Sequence, residues 1–452
     1  MSLDAPAAAR VEPRTIPATH AGARLAGLRL DIVLAIVVFA MAIVPRAAWI
    51  AYNDRPPQGL NDPVMYNLLS DLMADGDGYI RPTGEPFAYY PVGFPATVAG
   101  LKKAGEFVGW ERSIFSIKMM NGMFGALTTV GVFLIAARLF DRRVAFAAGA
   151  LHAIFPSQVY YTGTILTEPL FTYLFVAALL ILLWKPWART GMPYSQLFAA
   201  GLVLSAATMT RGITLIFPLL LLAIWLFYLD SKKRALLQTA VLFAGIAVLI
   251  VPWSIRNTLA FDQLTGPSTN LGDDLCIGNY NGADGRFTLT GKCFEGVEGM
   301  SPQEVELHRN REGAKIAVQD VLQHPLRMPE LIANKAYWLL YKDDDGIWAA
   351  ESYGHDPFIP EPRKGMLVFA ANAIYYATGI IVLLGAAAFA LSSDIRRLFV
   401  LLAMLYVIAV PLAFFGDPRF HFPAIPLAII IAAATLLMLW DGRRAFVPGE
   451  PT

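Results

Sequence analysis

Two acidic residues lie where a carboxylate could do chemistry. Asp62 lies in the segment NDPVMYNLLSDLMAD, and Glu168 lies in the apolar segment TGTILTEPLFTYLF. A carboxylate can act as a general base toward a hydroxyl group, and one at membrane depth is costly unless it is paired or lines a wet cavity. Structural roles remain open for both, because Asp62 before Pro63 predicts an N-cap and Glu168 before Pro169 predicts a helix start.

Three arginines lie at the ends of apolar runs, namely Arg211 in TMTRGITL, Arg256 in PWSIRN and Arg419 in GDPRFHFP. A guanidinium group matches phosphate oxygens bidentately, so three that converge would form an anion site. A single arginine at a helix end also reaches toward lipid head groups, and this alternative remains open for each. His421 either assists such a site or lies at the membrane interface.

Tyrosines are frequent in the same part of the chain as Asp62, where the stretch GDGYIRPTGEPFAYYPVGFP is rich in aromatic residues. Sugar rings stack on aromatic faces, so Tyr66, Tyr89 and Tyr90 are candidate substrate-binding residues. Aromatic residues also mark the headgroup belt of a membrane. The acidic run Asp343–Asp345 resembles a metal or nucleotide-sugar motif, but no strand pattern flanks it, and we expect a solvated turn.

The composition excludes several classes of protein. Of 452 residues, 56% are hydrophobic and 16% are charged, whereas soluble domains carry about 25% charged residues. A net charge of +1 gives no basic field for nucleic acid. The chain has no CxxC, HExxH or GxxxxGK[ST] motif, so we expect no zinc site and no nucleotide hydrolysis. We expect no cofactor, and one or two carboxylates do not make a divalent-metal site.

The elements that must position these residues are apolar helices. Long hydrophobic runs predict an all-α polytopic membrane protein of about ten transmembrane helices. Two runs are too long for one helix, and we expect them to turn near Pro156 to Tyr160 and at Arg211. The predicted spans are 28–50, 113–137, 235–253, 366–391, 398–415 and 420–440, together with hairpins at 144–183 and 195–229.

The short connections between these spans predict the topology. Lys and Arg concentrate in those that would face the cytoplasm, so the positive-inside rule places both chain ends inside. We expect a disordered cytoplasmic tail at 1–27, a transmembrane core at 28–253, C-terminal transmembrane helices at 366–440 and a cytoplasmic tail at 441–452. Residues 51–112 (the first loop segment) and 254–365 (the second loop segment) would face outside.

The first loop segment should contain an amphipathic helix over Asn61–Asp75 that lies on the membrane surface. Ser70 and Asp71 should point away from its apolar stripe. That stripe comprises Met65, Leu68, Leu69, Leu72 and Met73.

The second loop segment should form a small region of mixed helix and irregular structure. It contains the only two cysteines, Cys276 and Cys293, which would form a disulfide in an oxidising compartment. Two free thiols are the alternative.

Several of these pieces, in this order, resemble one known group. These segments are similar to segments of GT-C superfamily membrane glycosyltransferases: NDPVMYNLLSDLMADGDGY, FAYYPVGFP, TILTEPLF, AATMTRGITLIFP, PWSIRN followed by STNLGDDLCIGNYNGADGRF, and DPRFHFPAIP. The similar branch contains the protein O-mannosyltransferases and the lipid A aminoarabinose transferase, that is, glycosyltransferase family 39. Many members have two adjacent acidic residues where this chain has Asn61 and Asp62, and a tyrosine where it has Phe420.

The resemblance implies a sugar donor carried on a polyprenyl phosphate, with Asp62 near the reacting centre and Glu168 as a second acidic residue. It further implies inverting transfer to a lipid, glycan or protein acceptor at the outer face of a bacterial inner membrane. The arginines would hold the donor phosphate. Two alternatives remain open, a transporter or flippase of lipid-linked sugars and a non-catalytic assembly subunit.

Overall fold

The computed structural model describes residues 18–109 and 112–441, and within them the chain is a bundle of α-helices without a sheet. Two isolated β-bridges, Ile80 with Pro86 and Arg286 with Gly416, are its only extended pairings. The helices in the described part of the chain are α1 (Ala18–Tyr52), α2 (Asp62–Asp75), α3 (Gly93–Phe107), α4 (Ile114–Leu139), α5 (Arg142–Ala153), α6 (Pro156–Tyr160), α7 (Glu168–Leu183), α8 (Tyr194–Thr210), α9 (Phe217–Tyr228), α10 (Lys232–Phe261), α11 (Leu271–Asn279), α12 (Pro302–Gln323), α13 (Met328–Leu340), α14 (Asp345–Ala350), α15 (Glu361–Ala390), α16 (Ile395–Ala409) and α17 (Ile425–Asp441).

Six helical segments in the described residues are long and apolar enough to cross a membrane, so the polytopic all-α fold is confirmed. The helices α5, α7, α8 and α9 have 12, 16, 17 and 12 residues. At about 1.5 Å per residue they reach about 18 to 26 Å, less than the roughly 30 Å of a bilayer core. Ten complete spans are therefore not confirmed. The six segments are Arg29–Tyr52, Ile114–Leu139, Lys232–Phe261, Glu361–Ala390, Ile395–Ala413 and Pro418–Asp441.

Both apolar hairpins turn where the sequence predicts. In the first, the short α6 and the 3₁₀ turn Tyr161–Gly163 separate α5 from α7. In the second, α8 ends at Thr210 and Arg211 follows with extended backbone. Each break leaves a charged residue, Glu168 or Arg211, at a helix end. A charge there avoids the cost of lying at the centre of a continuous span.

Two helices of the bundle pack with their backbones in close contact. The helices α8 and α10 meet at Gly201 and Gly245, where a Cβ on either residue would lie 2.4 or 2.6 Å from a carbonyl oxygen of the facing helix. Small residues let two backbones approach in this way. The largest cluster of buried apolar side chains in the described residues is contributed by α1, α4, α5, α7, α8, α9, α10, α15, α16 and α17.

The predicted boundaries differ from the observed ones at several places. Residues 18–27, expected in a disordered tail, belong to α1, while 1–17 and 442–452 lie outside the described residues. Because α10 continues to Phe261 and α15 begins at Glu361, the second loop segment is shorter than expected. It contains α11 to α14. The disulfide is confirmed, since Cys276 and Cys293 are bonded with their Cα atoms 6.0 Å apart.

Candidate active site

The helix α2 presents Asp62, but not in the way the sequence suggests. The N-cap is Asn61, whose side chain accepts a hydrogen bond from the Val64 amide, and Asp62 is the first helical residue. Asn and Asp cap helices about equally well. Here the backbone is extended at Asn61, so Asn61 is the N-cap, one residue before the predicted position. The predicted N-cap at Asp62 is wrong. Its carboxylate is therefore available for other partners.

The buried face of α2 differs from the apolar stripe that the sequence predicts. Ser70 is fully buried, and its hydroxyl accepts a hydrogen bond from Lys102 Nζ at 2.9 Å. Asp71 pairs with the same ammonium group at 2.7 Å. Lys102 on α3 thus draws the polar side of α2 inward. The buried residues of α2 are Pro63, Tyr66, Leu69, Ser70 and Ala74.

Two remote side chains hold the Asp62 carboxylate. Tyr90 Oη donates a hydrogen bond to Asp62 Oδ1 at 2.8 Å, and Arg419 Nη1 donates to Oδ2 at 2.6 Å. Tyr66, one turn along α2, packs its ring 4.9 Å from that of Tyr90. The structure therefore brings four of the sequence-predicted residues into one group.

These contacts determine the protonation of Asp62. Burial alone would raise the pKa of this carboxyl, but the positive charge of Arg419 and the hydrogen bonds from Arg419 and Tyr90 lower the pKa below its ordinary value. A carboxylate that is ionised at neutral pH offers only acceptor oxygens. Asp62 can therefore accept a hydrogen bond, and then a proton, from a substrate hydroxyl.

Glu168 and Arg211 form a second ion pair beside the first. Arg211 Nη1 donates to Glu168 Oε1 at 2.5 Å, and Glu168 is 1% exposed. The two arginines come together at Phe420, because the guanidinium carbons of Arg211 and Arg419 lie 5.1 and 5.3 Å from the centre of its ring. The structure therefore brings two of the three arginines together, and their role in binding an anion stays a prediction.

The third arginine is engaged elsewhere. Arg256 donates to the backbone oxygens of Phe87 at 3.2 Å and Tyr79 at 2.7 Å, and to the Asn257 side chain at 3.0 Å. Among the described residues, none of its hydrogen bonds joins it to Asp62. In this arrangement Arg256 holds the first loop segment against α10, and its contact with a substrate stays a prediction.

His421 lies in a separate buried pair. Its Nδ1 donates to the Leu339 carbonyl at 2.7 Å, and its Nε2 lies 2.9 Å from Asp343 Oδ1. Tyr375 stacks on the imidazole with the ring centres 4.9 Å apart. A substrate contact of His421 stays a prediction as well.

The acidic run is not a solvated turn, contrary to the expectation. Asp343 is 3% exposed and paired with His421, while Asp345 Oδ2 accepts a hydrogen bond from Tyr161 at 3.0 Å. Burial, followed by repulsion from Asp417, raises the pKa of Asp345 to about 7. The partners that bury these carboxylates are distant in sequence, so the local pattern gave no signal of them.

Sequence reasoning also missed the acidic pair on α11. Asp273 pairs with Arg309 of α12, whose guanidinium lies 5.9 Å from the centre of the Tyr89 ring. Burial and the neighbouring Asp273 raise the pKa of Asp274 to about 7, and the charge of Asp62 adds to the effect. The sequence GDD at the start of a helix carried the only signal. In residues 18–109 and 112–441, no group of three or more His, Cys, Asp or Glu side chains is arranged to hold a metal ion.

Comparisons with known proteins show which fold this chain shares. The family described as dolichyl-phosphate-mannose-protein mannosyltransferase matches residues 109–255, about a third of the chain. The archaeal oligosaccharyltransferase AglB from Archaeoglobus fulgidus, in complex with an inhibitory peptide and a dolichol-phosphate, aligns with 16% identity and a TM-score of 0.50. That alignment covers 92% of this chain and 52% of AglB.

Two further solved structures are similar to this chain. The oligosaccharyltransferase of Archaeoglobus fulgidus in its apo form aligns with 15% identity and a TM-score of 0.52, over 90% of this chain and 50% of the other. ArnT from Cupriavidus metallidurans bound to undecaprenyl phosphate aligns more weakly, with 14% identity and a TM-score of 0.43, over 92% and 78%. No curated protein sequence matches.

The chain is a multi-pass membrane protein with the fold of the GT-C superfamily of membrane glycosyltransferases, and the resemblance predicted from the sequence is confirmed. It spans about half the length of the archaeal oligosaccharyltransferases that it matches.

Proposed function

We propose that this protein transfers a sugar from a polyprenyl-phosphate-linked donor to an acceptor hydroxyl, amine or phosphate, with inversion at the anomeric carbon. The proposal rests on two neighbouring ion pairs, one between Asp62 and Arg419 and one between Glu168 and Arg211. A carboxylate beside two arginines supplies what this reaction needs, a proton acceptor and an anion site. The neighbour AglB was solved with a dolichol-phosphate, which supports a donor of this class.

Arg211 and Arg419 would bind the phosphate of the donor. The bond from the anomeric carbon to the phosphate oxygen breaks as the transition state forms, and negative charge grows on the phosphate. Fixed guanidinium groups in a site shielded from water stabilise such charge strongly. In the absence of donor, both arginines are neutralised by carboxylates, so a phosphate would share or replace these pairings.

Asp62 would orient the acceptor and take its proton. Because its pKa is lowered, Asp62 is ionised at neutral pH but is a weak base, and most of its effect should come from positioning and charge. General-base assistance contributes roughly 10²–10⁴-fold, and a base of low pKa falls toward the lower end of this range. One displacement at the anomeric carbon inverts its configuration and needs no covalent enzyme intermediate.

We further propose that the two loop segments face the periplasm of a bacterial inner membrane. The bond between Cys276 and Cys293 supports this orientation, because disulfides persist in oxidising compartments and are rare in the cytosol. The short connections rich in Lys and Arg would then lie inside.

The test compares polyprenyl lipids by mass spectrometry in cells that make wild-type protein, Asp62→Asn or Asp77→Asn at equal abundance. Asp77 is an exposed carboxylate of the same loop segment with no side-chain hydrogen bond, so it provides a matched control. We expect one polyprenyl-phosphoryl sugar to accumulate with Asp62→Asn alone. Unchanged lipid profiles in both Asp62→Asn and Glu168→Gln would exclude the proposed transfer.

A further inference from the structure

A cavity of about 340 Å³ lies between the first loop segment and α12. One wall comes from Met65 of α2 and from residues that follow it, among them Tyr89 and Tyr90. The other wall is one face of α12, where Val305 and Arg309 are four residues apart and thus neighbours on the helix surface. No residue predicted from the sequence to hold the donor phosphate lines this cavity.

The polar groups of the cavity wall are held rigidly before any ligand arrives. Arg309 donates from Nε to Asp273 Oδ1 at 3.1 Å and lies over the ring of Phe294 at 4.1 Å. Arg81 pairs with Glu306 and lies 4.9 Å from the centre of the Phe87 ring. Preorganised polar groups lose little entropy when they bind a ligand, and planar fork-shaped groups fix the orientation of paired oxygens.

Glu306 is equally fixed. Its Oε1 accepts hydrogen bonds from the Ala88 amide at 2.9 Å and from Thr269 Oγ1 at 2.5 Å, and its other oxygen pairs with Arg81. This buried carboxylate ties α12 to the first loop segment. The cavity therefore keeps its shape through a connection between the two segments that form it.

The chemistry of the walls fits a carbohydrate ring. Tyr89 offers an aromatic ring, and Arg309 and Arg81 offer hydrogen-bond donors to hydroxyl groups. An acyl chain would displace water from these charged groups and offer them no hydrogen bond in return, which is costly. The volume is at the lower end of the range for small-molecule sites, about 300–1,000 Å³, as suits the terminal unit of a larger glycan.

The cavity adjoins the candidate reacting centre. Met65 is three residues from Asp62 on the same helix, so the two lie on neighbouring positions of its surface. Tyr90 lines the cavity, and its hydroxyl donates to Asp62 at 2.8 Å. Tyr90 therefore links a ring bound here to the Asp62 carboxylate.

We infer that this cavity binds a sugar ring of the acceptor, which makes the acceptor a glycan or glycolipid. The assignment of this sugar to the acceptor rests on the proposed function. The binding of a sugar in the cavity is independent of that function, because a sugar can bind without being transferred.

The test uses the full chain in detergent micelles and a panel of methyl glycosides of the common hexoses, hexosamines and pentoses. Saturation-transfer NMR measures their binding to wild-type protein, Val305→Trp and Val318→Trp. A tryptophan at Val305 would fill the cavity, whereas Val318 is 55% exposed on the same helix. We expect at least one glycoside to bind wild type and Val318→Trp, and to bind Val305→Trp at least tenfold more weakly.

Equal binding to Val305→Trp, or no glycoside binding to wild type, would overturn the inference. Should Val305→Trp fail to fold, Tyr89→Ala serves in its place, because it removes an aromatic wall without adding volume. Asp62→Asn should still bind the glycoside. Failure of the proposed transfer and failure of this inference are therefore distinguishable, since the first leaves sugar binding intact.

Discussion

Removal of the Arg419 charge should raise the pKa of Asp62 and destabilise the protein at neutral pH. The two groups are 2.6 Å apart, and their side chains are 21% and 24% exposed. At an effective dielectric constant of about 20, the direct attraction at this distance is about 6 kcal/mol. The cost of removing both charges from water offsets part of it, and loss of one partner from a buried pair typically costs about 3–5 kcal/mol.

The pH dependence follows from the direction of the shift. In the wild-type protein the pKa of Asp62 is lowered, so the ion pair contributes stability above the unfolded pKa, near 3.9. That contribution is lost as the pH falls through the folded pKa. In Arg419→Met burial is no longer offset by the guanidinium charge, and we expect the pKa of Asp62 to rise. The difference in stability between the two proteins should be largest at neutral pH and shrink below pH 4.

A double-mutant cycle measures this coupling without any substrate. Thermal unfolding in detergent compares wild type, Asp62→Asn, Arg419→Met and the double variant, with Arg286→Met as an exposed arginine control. We expect the double variant to recover part of the stability that Arg419→Met loses, because an amide needs no counter-ion. Additive losses at pH 7, or equal losses at pH 4 and pH 7, would refute the argument.

Three further changes test other parts of the structure. Glu168→Gln removes the carboxylate partner of Arg211, and we expect a lower unfolding temperature and altered affinity for polyprenyl phosphate, measured by titration. Burial raises the pKa of Asp274 from 3.8 to about 7, so the stability of the wild-type protein should fall as the pH rises between these values. Asp274→Asn should therefore unfold at a higher temperature than wild type at pH 8, but not at pH 4. A reductant should lower the unfolding temperature of wild type, by the equivalent of about 2–5 kcal/mol, but not that of the Cys276→Ser, Cys293→Ser double variant.

Features set by length and local chemistry could be predicted from the sequence. An apolar run of 40 residues cannot be one span, so the break between α5 and α7 follows from the thickness of a bilayer. A charge inside an apolar run likewise predicts the turn at Arg211. Two cysteines in one segment expected outside predict the disulfide between Cys276 and Cys293.

Features set by remote partners could not be predicted. Asn61 and Asp62 are equivalent cap formers, and only the contacts with Tyr90 and Arg419 show that Asp62 is used differently. Asp343–Asp345 carries the composition of a surface turn, but Asp343 is buried and paired with His421, which is far away in sequence. The local pattern contains no information about a counter-ion that another helix supplies.

The 357 residues that separate Asp62 from Arg419 have a consequence for biosynthesis. At about 5–20 residues per second, the ribosome makes Arg419 roughly 18 to 70 s after Asp62. During this interval the Asp62 carboxylate lacks Arg419 as its counter-ion. A truncated chain released before Arg419 is made would therefore lack this ion pair, so the proposed site can form only late in synthesis.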